Sequence, residues 1–436
     1  MRNIICFIIA FMLSISAWAF HDFKYGDCYY NIISNTPPYT VTVAQGWQLY
    51  NGSWGLIPYS GDIVIPDSVV YNNICYKVVA IQDLIFNSCP ALTSVRVGNN
   101  IHAIGKHAFS NNPRLKKVIL PETLTTIGEE AFTKCDSLHT VNIPQCVTTV
   151  GKNLFDKCPL LDTVIWNLRD AFLDIKPFYN NDDISHLIIG DSVTCVGTSA
   201  FYGCNNLTTV EWGKNLKTIG AEAFRSTGFR SLILREGIDS IAQGAFANCN
   251  KLKVVSIPSS LRCIDGISSG TVNNSNLRTF GSCTYIDSVY WNANNCLVSQ
   301  PFHASWNSHI RVVEFGDSIR YIRDKFCYNF DSLTTVIYPK HVKQIGGSAF
   351  YDCNKLTEFT IHDSVTKIAG YAFYGCNNLD SVHVYTTTPP TLGNQPFNSS
   401  PACLIPCGTL EAYQNSTWIN YMRSIEQRDS MYMNHM

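Results

Sequence analysis

One phenylalanine keeps a fixed interval along this chain. Phe86, Phe109, Phe132, Phe155, Phe178, Phe201 and Phe224 stand 23 residues apart, and Phe246 follows at 22. Phe302, Phe326, Phe350, Phe373 and Phe397 then resume at 23 or 24. One phrase travels with it: HAIGKHAFSNN (102–112), TTIGEEAFTKC (125–135), KTIGAEAFRST (217–227) and KQIGGSAFYDC (343–353). A unit this short cannot bury its own apolar face, so units of equal length must stack. The 56 residues from Phe246 to Phe302 hold one degenerate unit with an insertion near 263–283, which makes about fourteen units.

Within a unit, Ile or Val stands five residues before the Phe, as Ile104, Ile127, Val150 and Ile345, and Gly commonly follows it. Leu stands six after, as Leu115, Leu138 and Leu356. Then alternation begins: Val95 and Val97, Val118 and Leu120, Val141 and Ile143 face one way and the residue between them the other. Period two over so short a run predicts a half-buried strand. Pro or Gly ends it, as at Gly98, Pro121 and Pro144. The predicted fold is an α/β repeat solenoid, mostly β, with one short parallel strand per coil of about 23 residues.

The order Leu-x-x-Val-x-Ile-Pro…Val-x-x-Ile-Gly-x-x-Ala-Phe-x-x-Cys resembles the BspA-type leucine-rich repeat of bacterial and protist surface proteins, over about residues 60–400. The stretches VIWNLRD…PF, VYWNANN…PF and TTTPPTLGNQPF…CLIPCGTLEAYQNSTW resemble that family as it occurs in Bacteroidota. The resemblance implies a secreted or cell-surface binding protein that adheres to host or bacterial macromolecules.

The ends read differently. Residues 1–19, MRNIICFIIAFMLSISAWA, have one Arg, an apolar run and Ala17-Trp18-Ala19, the pattern of a signal peptide cut after Ala19. Residues 20–80 lack the Phe interval but carry strand-like runs between Gly, Asn and Pro, and are read as a β-rich N-terminal cap over the open sheet edge. The leucine-rich repeat solenoid is assigned to 81–400, and a C-terminal cap and tail to 401–436, with TLEAYQNSTWINYMRSI (409–425) read as a short amphipathic helix. The mature protein is expected to be exported, whether secreted, periplasmic or at the cell surface, as a monomer with no membrane span.

Charge is balanced, with Lys+Arg 32 against Asp+Glu 33, so there is no basic face to recruit nucleic acid. The 11 His are scattered, with no His-Glu-x-x-His and no Cys-x-x-Cys. No Gly-x-Ser-x-Gly occurs, and the glycines follow the repeat, not a phosphate loop. The reading is a non-enzymatic protein with no catalytic residue, metal or cofactor.

Cysteine is the strongest chemical signal. Cys89, Cys135, Cys158, Cys204, Cys249, Cys353 and Cys376 fall three residues after the Phe, where other units place Asn112, Asn181, Thr227 and Asn329. That exchange describes a small buried group bonding the backbone at a bend. The disulfide alternatives are Cys135–Cys158 and Cys353–Cys376 in adjacent coils, and Cys403–Cys407 across a turn.

The outward face of the sheet is the candidate binding surface. Its middle positions are Arg96, Ile119, Asn142, Ile165, Ile188, Glu211, Ile233, Glu314, Ile337, Thr360 and His383, with Ser256 in the same place. Exposed apolar residues in a regular array mark a partner site in repeat folds, and the expected partner is a protein or a glycan. The competing reading is a surface-coat or spacer protein without a specific ligand.

Overall fold

The computed structural model describes residues 21–50, 53–168, 177–178, 181–265, 278–296, 302 and 309–428. The leader 1–19, the middle of the 263–283 insertion and the end of the tail lie outside the described residues. Two compact units, Met1–Leu216 and Lys217–Met436, are taken in turn.

The first unit begins with β1 (Phe23–Tyr25), β2 (Cys28–Ser34) and β3 (Thr40–Ala44). There follow β4 (Gly46–Tyr50), β5 (Ser53–Ile57), β6 (Ser60–Val64), β7 (Ser68–Tyr71) and β8 (Ile74–Ile81). β1, β2 and β3 form an antiparallel meander, and β3 joins β8 in parallel. β4 and β5 form a separate hairpin.

From β8 and β6 the coils grow as two parallel sheets. β6 pairs with Ala91–Arg96, which pairs with Lys117–Ile119. Further along, Thr140–Ile143, Thr163–Trp166, His186–Ile189 and Thr209–Glu211 pair in register. Because the step is 23 residues, like meets like: Val141 lies opposite Val164, and Val164 opposite Leu187. These three are buried while Thr140 and Asn142 are exposed, as the alternation requires. Each such apolar side chain contributes roughly 1.5–3 kcal/mol when fully buried.

The second sheet is narrower. β8 ends on Ala80–Ile81, and the two-residue strands Ala103–Ile104, Thr126–Ile127 and Thr149–Val150 continue it in parallel. The Gly after each Ile exists because the coils press together there. A Cβ on Gly128 would stand 2.5 Å from the Gly105 carbonyl carbon and 2.6 Å from the Lys106 nitrogen. Both are backbone atoms of the preceding coil, so nothing can rotate away.

Between the sheets runs the Phe column. From Phe86 through Phe109, Phe132, Phe155 and Phe178 to Phe201, neighbouring ring centroids are 4.9 to 5.5 Å apart and the planes within 10° of parallel. The residues two before and two after the Phe turn the chain through the left-handed region, as His107 (φ 51°), Asn111 (φ 61°), Glu130 (φ 52°) and Lys134 (φ 59°). These bends send N–H groups to the next coil: Phe109 N donates to Ala131 O at 2.8 Å and Phe132 N to Leu154 O at 2.9 Å.

The second unit repeats this design around the insertion. Ser231–Ile233, Val254–Ile257, Ser288–Trp291, Val312–Phe315 and Thr335–Ile337 form one parallel sheet. Glu358–Ile361, Ser381–Val384, Ala402–Ile405 and Ser424–Gln427 form another. Val255 lies opposite Val289, so the register survives the insertion. Phe280, which the sequence interval does not reach, supplies the missing ring, stacked on Phe246 at 5.8 Å and Phe302 at 5.0 Å.

Phe326 is a correction. Cys327 N donates to Ala349 O as Phe350 N donates to Ala372 O, so the backbone sets Cys327, not Phe326, level with Phe350. The Phe326 ring instead packs against Trp291 at 5.2 Å and Phe315 at 4.9 Å. Phe330 then stands level with Cys353 and Asn329 one place earlier, where Asn329 N reaches Tyr351 O. Phe and Cys have exchanged places in this coil, and Phe326 fills the place that Ala349 holds in the next, so this coil buries one more ring than its neighbour.

The expected helix over 409–425 is broken. α1 covers Leu410–Gln414 only, a 3-10 turn takes Thr417–Asn420, and Ser424–Gln427 returns as a strand. Ser416 caps the turn by accepting from Trp418 N, and Trp418 Nε1 donates to Pro390 O at 2.9 Å. Burying that indole outweighs continuation of a short helix.

Candidate functional site

The outward face is built by the alternation that fills the core: whatever lies between two buried strand residues must point away. None of the eleven candidate residues is buried. Arg96, Asn142, Glu211, Ile233, Glu314 and Ile337 are exposed, and Ile119, Ile165, Ile188, Thr360 and His383 half-buried.

Register brings some of them together. Asn142, Ile165, Ile188 and Glu211 form one row across four strands. Arg96 neighbours Ile119, Glu314 neighbours Ile337, and Thr360 neighbours His383. Ile233 sits beside Ser256 instead of another candidate. The isoleucines do not make a continuous stripe: Ile165 and Ile188 are the one adjacent pair within these sheets, among the described residues. Polar contacts frame that pair. Asn142 Oδ1 accepts from Asn167 Nδ2 at 2.7 Å, and His186 Nε2 meets Glu211 Oε1 at 2.9 Å.

The outward positions of the other sheets also contain residues that the interval missed. Tyr290 lies between Ser256 and Glu314, Val64 pairs with Arg96, and Leu404 pairs with His383. Setting VYWNANN against VIWNLRD would have found Tyr290 opposite Ile165. Val64 and Leu404 stand outside the strict period and carry no such signal.

The cysteine positions prove architectural. Cys135 Sγ donates to Phe109 O at 3.2 Å, Cys158 to Phe132 O at 3.1 Å and Cys376 to Phe350 O at 3.0 Å. Asn112 Nδ2 makes the same bond to Phe86 O at 2.8 Å, and Asn181 Nδ2 to Phe155 O at 3.0 Å. Cys, Asn and Thr interchange here because each is a small donor able to satisfy a buried carbonyl. Asn329 does not share this place, for the reason given above. None of the three candidate pairs is bridged. Hydrogen bonding from the Cys158 thiol, together with burial, holds the Cys135 thiol well above its ordinary pKa. Burial first, and then the Cys376 thiol, do the same for Cys353.

Among the described residues, no group of three or more His, Cys, Asp or Glu could hold a metal ion. No helix among them is long and apolar enough to cross a membrane.

Comparison with known families agrees with this geometry. The model of the BspA type leucine rich repeat region, in six copies, matches residues 68–170, 172–298 and 300–404. The chain belongs to the BspA-type leucine-rich repeat family. Leucine-rich repeat proteins are generally non-enzymatic scaffolds for protein interaction. No curated protein matches this BspA-type chain. Among solved structures it is similar to a leucine-rich repeat protein from Bacteroides ovatus, at 22% identity over 94% of this chain and 100% of that one (TM-score 0.40). A leucine rich cell surface protein from Faecalibacterium prausnitzii shares 20% identity over 94% and 95% (TM-score 0.37). A leucine-rich repeat protein from Bacteroides capillosus shares 30% over 33% of this chain and 95% of that one (TM-score 0.27).

Proposed function

We propose that this BspA-type protein is exported and adheres to a host or bacterial protein through the outward face of its repeat sheet. The Ile165–Ile188 pair carries the reading: two adjacent unburied isoleucines, in register, set between Asn142 and Glu211. An apolar centre with a polar rim is the make-up of a protein interface. A glycan would call for aromatic platforms and clustered amides, and this row offers β-branched aliphatics. The leader pattern in residues 1–19 supports export.

The test is capture from host matrix and neighbouring bacteria on immobilised protein, with Ile165→Asp/Ile188→Asp alongside. The expected result is a reproducible protein partner that the double variant loses while its circular dichroism and melting stay unchanged. Equal capture by a folded double variant refutes the site. No reproducible partner at all favours the spacer reading.

A further inference from the structure

A groove of about 1270 Å³ opens beside the cap of the first unit. Its floor is the narrow sheet, presenting Ala103, Thr126 and Thr149 and the bare backbones of Gly105, Gly128 and Gly151. Over it stand Trp47 from β4, Gln45, and Asn31 from β2. Trp47 and Thr126 are half-buried and Thr149 is exposed, so the groove is open to a ligand from solvent.

Three features narrow the class of ligand. The ionisable side chains along one wall alternate in sign by coil, as Asp83, Lys106, Glu129 and Lys152. Lys106 Nζ already meets Glu129 Oε2 at 3.7 Å. The wall is therefore balanced and offers neither an acidic nor a basic ligand a net attraction. Second, from Ile81 to Gly151 the strands of the floor are already paired with one another. Gly105, Gly128 and Gly151 N–H groups donate to Ile81, Ile104 and Ile127 carbonyls, each at 2.8 Å. An extended peptide that pairs by strand addition finds nothing to pair with there. Third, the groove combines one large aromatic face with side-chain amides and hydroxyls; Ile81, Ile104, Ile127 and Val150 line it but are buried, and Leu84 is the exposed aliphatic of its lining. The floor repeats at the strand spacing of about 4.8 Å, a step on the scale of a sugar ring.

We propose that this groove binds a neutral oligosaccharide. Its rings would lie along the threonine and glycine rows, with one stacked on Trp47. Gln45 Nε2 already donates to Leu84 O at 2.8 Å and Asp83 Oδ1 accepts from Lys106 N at 2.7 Å, so the Asn31 and Gln82 amides, Asp83 Oδ2 and the Thr126 and Thr149 hydroxyls would bond the sugar hydroxyls. The site lies away from the sheet face and does not depend on a protein partner there.

Calorimetric titration of the mature full-length protein tests it, using cellohexaose, xylohexaose, mannohexaose and maltohexaose as neutral probes and a galacturonic acid hexamer as the charged one. At least one neutral hexamer should bind with Kd below about 1 mM. Trp47→Ala should weaken it at least about tenfold by removing the stacking face. Thr149→Arg, which fills the floor from an exposed position and leaves the hairpin alone, should do the same. Ile165→Asp/Ile188→Asp should bind the sugar normally, which separates this site from the sheet face. Failure of every neutral hexamer, preference for the charged one, or undiminished binding by folded Thr149→Arg overturns the proposal.

Discussion

A protein with this many cysteines, exported as proposed, would ordinarily be expected to oxidise, yet the geometry predicts that the ladder stays reduced. Bridging Cys135 to Cys158 withdraws S–H donors from the Phe109 and Phe132 carbonyls, and bridging Cys353 to Cys376 withdraws them from Cys327 and Phe350. The Phe109, Cys327 and Phe350 carbonyls keep a second donor, from Asn112 Nδ2, Phe330 N and Cys353 N, so the cost of about 1–3 kcal/mol for a deprived buried acceptor falls on Phe132 O. Closing a loop of one coil returns about 3 kcal/mol. Neither bridge is excluded on these energies, and the ladder stays reduced because the buried native thiols are slow to react. Burial lifts Cys28 and Cys403 from 9.0 to about 12. At pH 8 that lowers the thiolate fraction from about one in ten to about one in ten thousand, and the thiolate is the reactive species.

Ellman's reagent measures both effects. Native mature protein at pH 8 should show three fast equivalents, from the exposed Cys75, Cys146 and Cys407. The same sample, unfolded without reductant, should show all 17 thiols that follow the leader. A denatured count four lower, with peptides linking Cys135 to Cys158 and Cys353 to Cys376, would falsify the argument that burial keeps the ladder unreactive. A native count far above three would show that the coils open on the time scale of the assay.

Three further outcomes follow from the same stack. Gly128→Ala, whose Cβ meets backbone at 2.5 Å, should lose about 1–3 kcal/mol in urea unfolding, whereas Gly347→Ala, whose nearest neighbour is at 3.5 Å, should be nearly silent. Deleting one whole coil, 110–132, should leave a folded protein with a cooperative melt, and deleting 110–121 should give aggregate, as read by size-exclusion chromatography and circular dichroism. Burial lowers the pKa of His21, His362 and His383, so the unfolded chain takes up protons more readily near their ordinary value of 6.5. Their contribution to stability is full above pH 6.5 and declines as pH falls below it, so the melting temperature should drop between pH 7.5 and 5.5, less steeply in His362→Gln. A flat profile over that interval contradicts the assignment.

How much was legible follows from what the repeat constrains. Coil length, strand alternation and the Phe column are the same local rule applied many times, so each copy corroborates the others. Reading by identity fails where a coil satisfies that rule with different letters. Aligning Phe326 with Phe350 matches the side chain but misplaces the backbone by one residue; the hydrogen bonds align Cys327 with Phe350, Phe330 with Cys353 and Phe326 with Ala349. Phe280 was hidden because an insertion separates it from its neighbours in the chain but not in the column. The groove was beyond reach for a different reason. Trp47 and Asn31 belong to β4 and β2, Thr126 and Thr149 to coils roughly one hundred residues later, and no period connects them. They meet because β3 joins β8 in parallel and β8 runs on into the narrow sheet, a pairing between segments far apart in the chain. The outward face is therefore what a period can announce, and a groove between distant segments is what only the folded chain can.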